Sequence, residues 1–102
     1  MAQIHWDQDA ETIHNQIRAF SPHPGAWTQV EINGQIKRMK ILRSEVVEGK
    51  GETGASILFS KKKWIVACGK QALSLKEVQL EGKKKLTFSN FISGINYPIK
   101  IK

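Results

Sequence analysis

Cysteine is nearly missing from this 102-residue chain, where Cys68 stands alone. One thiol excludes an intramolecular disulfide and the usual cysteine-based zinc sites, and it fits a reducing compartment, so a cytoplasmic location is expected. Long apolar runs are missing as well, and no membrane partner is expected. The first residues, Met1-Ala2-Gln3-Ile4-His5-Trp6-Asp7, lack the basic start and apolar stretch of a signal peptide. Catalytic signatures are equally scarce: the chain has no G-x-S-x-G elbow, no H-E-x-x-H and no C-x-x-C. His5, His14 and His23 offer no helical i, i+4 ligand pair, so no metal site is expected. Asp7 and Asp9 sit where a helix starts, which makes capping their expected work. Cys68 lies in the apolar run Trp64-Ile65-Val66-Ala67-Cys68 and reads as a buried, inert thiol. No residue is assigned a catalytic role, and the chain alone is expected not to be an enzyme.

Acidic residues are scarce in the second part of the chain. Residues 35–102 carry fifteen bases against five acids, whereas residues 1–34 carry four acids and Arg18, and the whole chain has a net charge of +7. Such asymmetry points to a polyanionic partner, nucleic acid before an anionic membrane surface. The plain alternative is a solvated lysine-rich surface, because thirteen of the sixteen bases are lysine.

What is present organises around residues 17–28, Ile17-Arg18-Ala19-Phe20-Ser21-Pro22-His23-Pro24-Gly25-Ala26-Trp27-Thr28. Before it, Ala10, Ile13, Ile17 and Phe20 recur at helical spacing and predict an amphipathic helix over residues 9–20. Pro22 and Pro24 fix φ and move their predecessors out of the α region, and Gly25 tolerates positive φ, so a rigid corner ends the helix. After the corner, Ala26, Thr28, Val30 and Ile32 alternate with polar or half-polar positions, as a half-buried strand requires. Asn33-Gly34 then signals a tight hairpin. The return strand, residues 35–43, slips once in its alternation and predicts a bulge.

A glycine-rich connector, residues 48–54, lacks the strand and helix context of a phosphate loop. Short strands are expected at 55–59, 64–68, 72–75 and 77–80, with a bend near Lys76 that lets Leu73, Leu75, Val78 and Leu80 share one core. Phe88, Phe91, Ile92 and Ile95 predict a short closing helix opened by Thr87 or Ser89 and stopped by Gly94, and the tail from Asn96 to Lys102 reads as a last strand or a frayed end. The fold class is therefore mainly β (α+β): one domain over residues 1–102, a small barrel or sandwich with an N-terminal helix and a short C-terminal one.

Two lysine triplets, Lys61-Lys62-Lys63 and Lys83-Lys84-Lys85, fall on predicted turns, and Lys37, Arg38, Lys40 and Arg43 line the hairpin. Ammonium and guanidinium groups placed so reach phosphates without reading bases. These ten residues are the candidate nucleic-acid-binding set, which becomes an RNA-binding set under the resemblance given next. Trp27, on the polar face of its strand, and Trp64, after the first triplet, are candidates for base stacking, although core or corner packing outweighs that for both.

The ordered set of residues 17–28, the preceding Ile4-His5-Trp6, and then Ile36-Lys37, Val66-Ala67-Cys68-Gly69, Leu73-Ser74-Leu75, Val78-Gln79-Leu80 and Gly82-Lys83-Lys84 resembles the C-terminal domain of the methionyl-tRNA formyltransferase family. The resemblance covers nearly the whole chain. It implies an OB-like barrel that holds initiator tRNA while a separate N-terminal Rossmann-type domain transfers formyl from 10-formyltetrahydrofolate. The family's catalytic residues and its folate loop belong to that other domain, so the resemblance implies no cofactor here. Its implied partners are initiator tRNA and the N-terminal formyltransferase domain, with the chain acting as a monomer. Arg18 and the Pro22–Gly25 corner match the shared motif as structural residues, and Lys83 and Lys84 match a turn assigned to tRNA backbone contact. Lys50-Gly51-Glu52 departs from the Pro-Gly turn of many relatives, which puts the conformation of that loop in question. Similar domains occur in sugar-nucleotide and folate formyltransferases. The alternative is therefore an accessory packing domain without RNA binding.

Overall fold

A computed structural model of the chain describes residues 2–95 and 99–101. Helix α1 runs over Ala10–Phe20, led in by an extended segment whose Ala2, Ile4 and Trp6 are buried. Asp9 occupies the N-cap position, but its side chain makes no capping hydrogen bond. Ala10, Ile13 and Ile17 are completely buried, whereas Phe20, expected on the same face, stays 37% exposed. The Phe20 expectation is corrected: the helix ends there, and the chain turns away before the last turn can pack. Burying the two isoleucines contributes roughly 1.5–3 kcal/mol each. The corner itself forms as expected, with Ser21 N–H donating to Ile17 O at 3.0 Å, Gly25 N–H donating to Phe20 O at 2.9 Å, and Gly25 at φ +89°.

Strand β1 (Ala26–Ile32) pairs antiparallel with β2 (Gln35–Val47) through the Asn33-Gly34 turn, whose residues take φ of 53° and 83°. Ala26, Thr28, Val30 and Ile32 face inward as the alternation predicts. The buried Thr28 hydroxyl accepts the Trp6 Nε1–H at 3.0 Å, which satisfies both polar groups. β2 runs four residues past its expected end at Arg43. It continues because β5 (Ala72–Leu80) offers it a partner along almost its whole length.

β5 is one strand, not the two expected at residues 72–75 and 77–80. The irregularity predicted near Lys76 is nonetheless present in the pairing: Ser44 opposes Leu75 and Arg43 opposes Glu77, so Lys76 is skipped, and Leu42 is skipped between Ile41 and Arg43. These slips put Leu73, Leu75 and Val78 into the core with Leu80 packed at its margin. β3 (Ser56–Phe59) and β4 (Trp64–Ala67) continue the sheet beyond β5, and the two-residue β6 (Leu86–Thr87) pairs with the far end of β5. Helix α2 (Phe88–Ser93) opens on Thr87, whose hydroxyl accepts the Asn90 N–H at 3.4 Å, and Gly94 follows it. β7 (Ile99–Ile101) pairs with β1, while Asn96, Tyr97, Pro98 and Lys102 of the expected tail lie outside the described residues.

Among the described residues the strand order is β3-β4-β5-β2-β1-β7 with β6 branching onto β5, a seven-stranded sheet that curls into a nearly closed barrel around one core. This is the mainly β, OB-like architecture expected from the sequence. No helix among the described residues is long and apolar enough to cross a membrane.

Candidate nucleic-acid interface

The β1–β2 register places Trp27 opposite Lys40 and Gln29 opposite Arg38 on the outer face of the hairpin. Arg38 is therefore the diagonal neighbour of Trp27, and its guanidinium carbon lies 4.0 Å from the centre of the indole ring. A cation held over a ring face in this way is attracted by the ring quadrupole. The stem of Lys40 runs across the corner glycine: a Cβ built on Gly25 would stand 2.8 Å from its Cδ.

The end of β5 is tied to this hairpin by one acidic residue. Glu81 N–H donates to Arg38 O at 3.0 Å, and Arg38 N–H donates to the Glu81 carboxylate at 2.6 Å. Gly82, at φ +76°, then reverses the chain, with Lys83 N–H donating to Leu80 O at 3.0 Å and Gln79 Nε2 donating to Lys83 O at 2.9 Å. The second lysine triplet is thus presented on a braced turn beside the hairpin.

Three adjoining clefts follow from this arrangement. The first, of about 290 Å³, is bounded by Trp27, Arg38 and Lys40 on one side and by Leu80, Glu81 and Gly82 on the other. The second, of about 270 Å³, shares Leu80 and Glu81 and adds Lys37 and Lys83. The third, of about 420 Å³, shares Leu80 and Lys83 and adds Lys84, Leu86 and Phe91. Lys37, Arg38, Lys40, Lys83 and Lys84 therefore line three clefts that share Leu80, with Arg38 and Lys40 on the outer row of the hairpin and Lys37, opposite the buried Val30, on the inward row at the barrel end. Lys85 is exposed on the same turn.

The first triplet is elsewhere. Lys61, Lys62 and Lys63 are all exposed on the β3–β4 turn, where Ser60 Oγ accepts the N–H groups of Lys62 and Lys63 at 3.2 Å each. Lys62 borders a smaller cleft of about 180 Å³ with Lys76, Thr87 and Ser89. Lys76 in turn pairs with Glu45 at 3.3 Å, which spends part of that local charge. Arg43 is exposed and stands opposite Glu77 in the sheet register. It borders none of these four clefts.

Trp64 requires a correction. It is completely buried, its Nε1–H donates to Ser56 Oγ at 2.8 Å, and its ring packs 5.0 Å from Phe59 and 6.3 Å from both Phe88 and Phe91. No base can reach it, because the aromatic cluster under α2 surrounds it. Trp27 alone of the two candidates keeps an accessible face. Glu81 and Lys76 were missed from the sequence. Glu81 borders a turn and would have been found by asking what accepts the N–H groups of a basic hairpin.

Cys68 is buried beside the sheet, and burial pushes its thiol up to about 11, against a smaller opposing effect of a backbone hydrogen bond at Leu73. A thiol so placed is a poor nucleophile at neutral pH. Among the described residues, no group of three or more His, Cys, Asp or Glu side chains is arranged to hold a metal ion.

Comparison with known proteins gives the family context. Residues 1–96 match the family described as formyl transferase, C-terminal domain. Over 95 residues the chain is 41% identical to a methionyl-tRNA formyltransferase from Protochlamydia amoebophila, covering 92% of this chain and 30% of that protein. A methionyl-tRNA formyltransferase from Brucella anthropi is 42% identical over 93 residues, covering 91% of this chain and 29% of that protein. The chain thus spans under a third of the length of these relatives. Among solved structures, HypX from Aquifex aeolicus in complex with tetrahydrofolic acid superposes with a TM-score of 0.71 at 20% identity, over 91% of this chain and 16% of that one. At that identity the likeness concerns the fold alone.

Proposed function

The chain belongs to the formyl transferase C-terminal domain family, and from that premise we propose that it is the tRNA-binding C-terminal domain of a methionyl-tRNA formyltransferase. It holds initiator tRNA through contacts from its basic side chains to the RNA backbone. A separate N-terminal domain transfers the formyl group from 10-formyltetrahydrofolate. In this reading the chain supplies binding and orientation, contributes no catalytic group, needs no cofactor of its own, and works in the cytoplasm as a monomeric unit joined to its catalytic domain.

The observation that carries the reading is the convergence of Lys37, Arg38, Lys40, Lys83 and Lys84 around adjoining clefts that share Leu80. These bases come from two distant stretches of chain joined by the Arg38–Glu81 backbone link. Long flexible side chains at the rims of open clefts suit an irregular polyanion, whose phosphates they contact while releasing condensed counterions. A small folate or sugar nucleotide needs no such spread of charge. Lys61, Lys62 and Lys63 extend the basic surface on a second turn and contribute long-range attraction.

Two titrations test this. Fluorescently labelled initiator tRNA is expected to bind the chain at low salt, and calorimetric titration with 10-formyltetrahydrofolate is expected to give no heat above dilution. No tRNA binding at low salt would replace the proposal by the accessory packing-domain alternative, and folate binding by this chain would contradict both readings.

A further inference from the structure

The cleft between Trp27 and the Glu81–Gly82 turn has a composition that backbone contact alone does not explain. Its Trp27 side is a half-buried indole already stacked with a guanidinium, and its far side carries the half-buried Leu80. At its edge lies a carboxylate, with one Glu81 oxygen accepting the Arg38 N–H at 2.6 Å. A carboxylate repels phosphate, so this is a poor phosphate cradle. It remains a good acceptor for N–H donors, because an ionised carboxylate offers more lone pairs than one backbone donor can use. A flat apolar face, a stacked cation and a free acceptor together match a nucleobase. A paired base cannot turn its face into such a cleft, so the occupant has to be unpaired.

Resting on the RNA-binding reading above, we propose that this cleft accepts the base of one unpaired nucleotide. The base extends the Trp27–Arg38 stack, its exocyclic amine donates to Glu81, and a flanking phosphate meets Lys40. Trp27, Arg38 and Glu81 then give the domain a local preference for single-stranded RNA bearing cytosine or another amine-carrying base. The remaining lysines stay indifferent to sequence.

The test uses a pentacytidylate, a pentauridylate, an abasic oligomer of the same length and a blunt RNA duplex, with affinities read by anisotropy. Pentacytidylate is expected to bind roughly tenfold tighter than the abasic oligomer, the scale of one base stacked on an aromatic ring. Trp27→Ala removes that difference, Trp27→Phe retains most of it, and neither changes duplex binding. Glu81→Gln reduces the preference for pentacytidylate over pentauridylate. Because Trp6 and Trp64 are buried, pentacytidylate is also expected to quench the accessible tryptophan emission, and Trp27→Phe to abolish that quenching. Equal affinity for the abasic oligomer and pentacytidylate would overturn the proposal. So would a Trp27→Ala loss spread evenly over all four RNAs, which marks a structural role. If duplex binds with a salt slope while the base makes no difference, only this inference falls. If no RNA binds at all, the backbone reading falls with it.

Discussion

Replacing Lys83, Lys84 and Lys85 together by alanine removes three exposed charges from one braced turn. The hydrogen bonds that hold the turn use the Lys83 backbone N–H and C=O, at 3.0 and 2.9 Å, and survive the substitution. Stability is therefore expected to change by no more than about 0.5 kcal/mol, as for other surface substitutions. Binding is another matter. If each ammonium neutralises one phosphate, the slope of log K against log salt becomes shallower by about 2 to 3 units, at 0.7 to 0.9 per contact. Between 50 and 200 mM salt that difference makes the triple variant lose about 20- to 40-fold less affinity than the parent. Anisotropy with labelled initiator tRNA at four or five salt concentrations reads both slopes, and a thermal melt reads stability. An unchanged slope would refute the contact assignment, and a large drop in melting temperature would show that the turn lysines are structural.

Further outcomes follow from the packing. Trp64→Ala is expected to cost about 3–5 kcal/mol by emptying the aromatic cluster, and chemical denaturation measures it. Gly25→Ala places a side chain at φ +89° and against Lys40, so a loss of about 1–2 kcal/mol is expected in the same assay. Asp9→Ala is expected to cost less than the ~1 kcal/mol of a bonded cap, because Asp9 makes no side-chain capping bond. Cys68 stays protonated in the fold until about pH 11 while the unfolded chain ionises near 9, so between those values the unfolded state releases its proton first and stability falls as pH rises. Denaturant midpoints at pH 8 and 10 for the parent and Cys68→Ala measure this, and the variant is expected to show the smaller decline.

Features governed by neighbours in sequence were legible before the fold was known. The α1 face through Ile13 and Ile17, the corner at Gly25, the Asn33-Gly34 turn and the Thr87 cap each follow from local chemistry, and each is present. The bulged pairing opposite Lys76 was legible because a switch of parity between Leu75 and Val78 needs one. Features decided by distant partners were not. The extension of β2 to Val47 depends on β5, and the exposure of Phe20 depends on where the chain goes after Ser21. The candidate surface divides the same way. The identity of its bases could be read from the sequence, whereas the meeting of Lys37 and Arg38 with Lys83 and Lys84 depends on the Glu81 link, 43 residues from Arg38. Trp27, on the polar face of its strand, and Trp64, after a lysine triplet, each allowed packing or stacking. Only the position of α2 over the barrel separates the accessible ring from the buried one.

The central claim is that one basic face, formed by the hairpin and the β5–β6 turn, contacts RNA. Backbone amide shifts of the labelled chain, followed during titration with initiator tRNA at low salt, test it most directly. The largest changes are expected at residues 37–40 and 81–86, with the exposed acidic side of α1 around Glu11 unmoved. Changes concentrated on α1 or on the outer edge of β3, with the lysine turn silent, would contradict it.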